Sequence, residues 1–107
     1  MSFATHTLLD RFLRYVRIDT ESVRDSDSYP STAGQLDLAR LLADELRGLG
    51  LEQVELTEHG YVLATLPGVA SDGGPTVGLL AHVDTSPDAP GAGVTPQVWR
   101  NYDGGER

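Results

Sequence analysis

Thr76-Val77-Gly78-Leu79-Leu80-Ala81 contains no charged side chain, and His82-Val83-Asp84 follows it directly. A short continuous apolar run bounded by turn residues has the pattern of a strand covered on both faces. Gly73, Gly74 and Pro75 stand before it, and Pro87, Pro90, Gly91 and Gly93 come soon after. Just upstream, Val54 and Leu56 alternate with Gln53, Glu55 and Thr57, as in a strand with one wet face. Glu58-His59-Gly60 supplies a turn, and residues 61–66 form a second, more apolar strand, so the two read as a hairpin. Residues 67–75 read as a surface loop and residues 94–99 as a further short strand.

Toward the N-terminus the apolar period lengthens. Leu8, Leu9, Phe12, Leu13 and Val16 make one helical stripe with Asp10, Arg11, Arg14 and Arg17 opposite, and Thr7 with Asp10 forms a capping pair. The three arginines read as a solvated face. Residues 20–30 are polar and read as a loop. A second helix opens at Ser31 or Thr32, with Thr32 and Gln35 at capping-box spacing. Leu38, Leu42, Leu46 and Leu49 form its stripe, and Gly50 closes it. Helix, helix, then three strands lacks the regular alternation of a doubly wound fold. The expected class is therefore α/β, two helices followed by a mixed sheet.

The 107 residues suffice for one domain, and 39% hydrophobic residues suffice for a core. Sixteen acidic residues against eight basic ones, all arginine, give a formal charge of −8. That balance argues against nucleic acid and anionic membranes as partners. The absence of cysteine excludes disulfides and thiol chemistry, and the absence of lysine excludes a P-loop. No secretory signal or membrane-spanning run is visible, so the expected location is cytoplasmic.

Chemistry is expected where the apolar run ends. Side chains at i and i+2 of an extended chain share a face, so Asp84 can accept a hydrogen bond from one nitrogen of His82. The other nitrogen then keeps a lone pair for a metal, with its tautomer fixed. His-x-Asp alone also describes a structural histidine satisfied by an acid, and a zinc site takes three or four protein ligands. His6 and His59 have no ligand-spaced partner. Ser86 and Thr85 lack a nucleophile-elbow context.

His82-Val83-Asp84-Thr85-Ser86-Pro87-Asp88 resembles the first metal-binding motif of the peptidase T family, tripeptide aminopeptidases of the dizinc M20 group. Arg11-Phe12-Leu13-Arg14-Tyr15-Val16, Ile18-Asp19-Thr20, Pro30-Ser31-Thr32 with Gly34-Gln35, Gly60-Tyr61, Ala64-Thr65-Leu66-Pro67 and Asn101-Tyr102-Asp103-Gly104-Gly105 are similar to that family in the same order. The resemblance implies His82 as a zinc ligand and Asp84 as the catalytic-site acid that holds its ring. It also implies a pair of zinc ions, short peptides as substrates, and a glutamate base and further ligands later in a longer chain. Residues 1–107 would then be the N-terminal portion of a catalytic domain, without its lid domain and inactive in isolation. The alternatives are a non-catalytic metal-binding module and an interaction module that self-associates through an exposed sheet.

Overall fold

The computed structural model describes residues 5–69 and 73–106, so residues 70–72 of the expected surface loop lie outside the described residues. The first element, α1, runs over Thr5–Tyr15. Because the helix already includes Thr5, Thr7 sits inside it rather than at its cap, and the Thr7–Asp10 capping pair is not formed. The apolar stripe is only half covered: Leu8 is 72% and Phe12 56% exposed. The arginine face is not simply solvated either. Arg14 pairs with Glu45, the Tyr15 hydroxyl donates to the same carboxylate, and Arg11 Nε lies 4.0 Å from it. Arg17 remains exposed.

Glu45 belongs to α2, Ala33–Gly48. Thr32 is its N-cap in extended backbone (φ −138°, ψ 150°), yet its hydroxyl makes no cap bond. It donates instead to the Glu21 carbonyl at 3.0 Å. Gln35 likewise turns away from capping-box duty toward Thr20 and Ser31, so the spacing signature is present but its hydrogen bonds are not. The C-terminus behaves as expected. Gly50 takes φ +83°, which allows the Leu51 N–H to reach the Leu46 carbonyl (3.1 Å) and the Gly50 N–H to reach Arg47 (3.0 Å). This pair of bonds satisfies carbonyls that the helix end would otherwise leave bare. Leu38, Ala39 and Ala43 are buried along α2, whereas Leu49 lies past the helix end and is 56% exposed.

The buried face of α2 rests on a two-stranded antiparallel sheet, β1 (Glu52–Leu56) and β2 (Val62–Thr65). Glu55 pairs with Leu63 and Leu56 with Val62, and a register shift falls between Glu52 and Glu55. Thr57 closes the turn, its N–H donating to the Tyr61 carbonyl at 2.9 Å. The expected hairpin is therefore present in an α/β arrangement of helix, helix, strand, strand.

Two other expected strands are not. Residues 76–81 form no strand, and Val77, Leu79 and Leu80 are 80%, 95% and 95% exposed. An apolar sequence favours burial, but a strand needs a hydrogen-bonded neighbour, and among the described residues none lies beside this run. Residues 94–99 form no strand either. The result is an open molecule. Its accessible surface is 9001 Å², against about 5,800 Å² for a compact monomer of this length. The radius of gyration, 16.9 Å, exceeds the compact expectation of about 13 Å.

Candidate functional site

The loop that carries the His-x-Asp motif is fastened at several points to the polar segment after α1. Thr85 forms a parallel bridge with Glu21. The Thr85 N–H donates to the Thr20 carbonyl (3.1 Å), and the Ser22 N–H donates to the Thr85 carbonyl (2.9 Å). The Ser22 hydroxyl reaches the same carbonyl at 3.0 Å. Further along, the Gly91 N–H donates to Glu21 Oε2 at 2.9 Å. A Cβ on Gly91 would crowd the Asp19 carboxylate and the Glu21 side chain, so a larger residue here would have to move them. Arg24 and Asp88 add an exposed ion pair at 3.4 Å.

Within that loop His82 and Asp84 meet. The Nδ1 of His82 lies 3.1 Å from Asp84 Oδ1 and 2.8 Å from the Asp84 carbonyl oxygen. Both partners are acceptors, so in the neutral ring Nδ1 carries the proton and Nε2 keeps the lone pair. The His82 side chain is 84% exposed and that of Asp84 49%, so nothing shields Nε2 from an incoming ligand.

A neutral imidazole with its lone pair on Nε2 and its Nδ1–H on a carboxylate suits one position of a zinc coordination shell. Among the described residues, however, no group of three histidine, cysteine, aspartate or glutamate side chains is placed to hold a metal ion. His59 stands 3.6 Å from Glu58 in the exposed hairpin turn, away from this motif in the fold. The side chain of His6 lies outside the described residues.

The support beneath the motif was not legible as such in the sequence. Among the described residues Thr20 and Gln35 are the buried polar ones, at 4% and 6% exposure. Residues 20–30 read only as a polar loop, and Thr85 only as a poor nucleophile. The available signal was the pair Gly34-Gln35 at the start of a helix whose later turns are leucine and alanine. Gly34 lets that first turn approach the chain after α1: a Cβ there would lie 1.9 Å from the Asp19 carbonyl oxygen.

The chain is 50% identical over 99 residues to peptidase T of Geobacillus thermodenitrificans (strain NG80-2), which covers 92% of this chain. It is 54% identical over 101 residues to peptidase T of Edwardsiella ictaluri (strain 93-146), covering 94%. The chain is similar to peptidase T over nine-tenths of its own length. Peptidase T of Halothermothrix orenii is similar again, 52% identical over 97 residues. In each case the match spans 24% of the peptidase T sequence, about a quarter of its length. No family profile matches the chain. Among the described residues no helix is long and apolar enough to cross a membrane.

Proposed function

We propose that this chain supplies one histidine ligand, His82, to the metal centre of a zinc-dependent aminopeptidase that releases the N-terminal residue of tripeptides. The observation that carries the reading is the His82–Asp84 contact, which assigns the proton to Nδ1 and leaves Nε2 for a metal. Similarity to peptidase T over nine-tenths of the chain supports the peptidase class. In this reading residues 1–107 are part of a catalytic domain of the dizinc M20 type, located in the cytoplasm. When bound, a zinc pair polarises the scissile carbonyl and activates water. His82 holds its share of the metal, and Asp84 orients the ring without touching substrate.

One histidine does not close a zinc site, so the remaining ligands and the general base come from outside these residues, and residues 1–107 alone do not hydrolyse peptides. The test is zinc analysis and tripeptide hydrolysis with the full natural-length protein and its His82→Ala variant. Loss of bound zinc together with hydrolysis supports the proposal. Unchanged zinc content removes His82 from the ligand set.

A second reading draws on the exposure of Val77, Leu79 and Leu80. An uncovered apolar run favours association of the isolated 107-residue stretch with itself.

A further inference from the structure

We infer that the Thr20 carbonyl is the anchor that positions the His82–Asp84 motif, with Gln35 as the positioning residue that holds this carbonyl and Ser22 as the one that holds Thr85 from the other side. The inference rests on the metal-binding reading above, but its geometry stands apart from any metal.

The Thr20 carbonyl receives two donors. One is the Thr85 N–H at 3.1 Å, adjacent in sequence to Asp84. The other is Gln35 Nε2 at 3.4 Å. A carbonyl oxygen has two lone pairs, so both bonds form at once. The same amide nitrogen donates to Ser31 Oγ at 3.2 Å, and Ser31 Oγ also receives the Val23 N–H at 3.1 Å. Gln35 thereby holds the 20–23 segment at both ends. From the far side, Ser22 returns two bonds to the Thr85 carbonyl.

Gln35 is 6% exposed on a helix that otherwise buries Leu38, Ala39 and Ala43. A methionine would fill that space without the cost of desolvating an amide. What the amide adds is a donor mounted on a helix and aimed at the carbonyl that also receives Thr85. The open approach of Gly34 to Asp19 brings the helix close enough for this reach. Loop residues alone position a ligand loosely, whereas a helix-mounted donor fixes the backbone from which the ligand projects. The His82 side chain is exposed, so packing does little to place it, and the backbone beside Asp84 is held by this anchor.

The experiment uses the full natural-length protein, metal-free, with Gln35→Met and Ser22→Ala. Hydrogen exchange is read by mass spectrometry in peptides covering residues 81–89 and, as a reference, residues 52–65. Each variant should speed exchange at the Thr85 amide by about tenfold, the scale of one lost hydrogen bond. The hairpin peptides should not change. Zinc affinity should fall with kcat while KM for a tripeptide stays near that of the unaltered protein. Unchanged exchange over residues 81–89 in both variants overturns the inference, whatever the zinc content. Faster exchange in the hairpin as well as the loop assigns Gln35 a merely structural role and also overturns its assignment. Should Gln35→Met fail to fold, Ser22→Ala, which removes one hydroxyl and its bond to the Thr85 carbonyl, decides the matter alone. Local loosening in a protein that binds no zinc at all would leave the anchor standing and sink the metal-binding proposal instead.

Discussion

Asp84 Oδ1 lies 3.1 Å from Nδ1 of His82, two residues back along the same chain. The carboxylate and the Asp84 carbonyl together claim the Nδ1–H, so the lone pair on Nε2 is the one presented to solvent. Asp84→Asn keeps the size of the side chain and removes its charge. In the natural-length protein this change should lower zinc affinity or peptide hydrolysis by about 10–100-fold. His82→Ala should abolish binding at that position. Equal, negligible effects from Asp84→Asn on both zinc titration and turnover would remove Asp84 from the orienting role.

Gly34 and Gly48 lie in the same helix and should respond to alanine with opposite signs. At Gly34 the new Cβ would meet a backbone oxygen at 1.9 Å, and backbone does not yield cheaply. Gly34→Ala should therefore lose about 1–3 kcal/mol, as overpacked sites do. At Gly48 nothing lies within 4 Å. Gly48→Ala should gain about 0.4–1 kcal/mol by restricting the unfolded chain. Urea unfolding of both variants checks the pair, and a stabilising Gly34→Ala would contradict the seating of α2 against Asp19.

Much of this architecture was legible because its signals are local. Leucine spacing and Gly50 define α2, and the alternation at Val54 and Leu56 with the turn at Gly60 defines the hairpin. The relation of His82 to Asp84 also follows from two-residue geometry. What misled was any feature whose outcome depends on distant residues. The run at residues 76–81 has the composition of a covered strand, but composition does not supply a neighbour to pair with. Thr32 and Gln35 have capping-box spacing, yet both side chains bond the 20–31 segment, a choice made by how α2 seats on the chain after α1. Arg11 and Arg14 read as a wet face because Glu45, which they approach, lies in the next helix.

That carboxylate makes a separate prediction. Glu45 gathers Arg11, Arg14 and Tyr15 from α1 and is itself only 18% exposed. Hydrogen bonds to a charged group contribute about 1.5–3 kcal/mol. Glu45→Ala should loosen α1 by that order, seen as faster amide exchange over residues 5–15, with the hairpin little altered. Arg17→Ala, on an exposed residue, should change neither.

The exposed run predicts how the isolated 107-residue stretch behaves in solution. Its charge of −8 opposes association at low salt, but at physiological ionic strength that repulsion reaches only about 8 Å. Sedimentation velocity should show self-association growing with salt. Leu79→Asp and Leu80→Asp together should suppress it. A compact monomer at every salt concentration would show that Leu79 and Leu80 are covered.

Whether His82 offers Nε2 to a metal while Asp84 holds Nδ1 is read from long-range proton–nitrogen NMR of the His82 imidazole. The measurement is made on the natural-length protein, first metal-free and then with zinc. The Nδ1–H tautomer should dominate in the metal-free protein, and zinc should shift the Nε2 resonance while Nδ1 keeps its proton. An Nε2–H tautomer before zinc is added, or an Nε2 resonance that zinc leaves in place, would contradict the account.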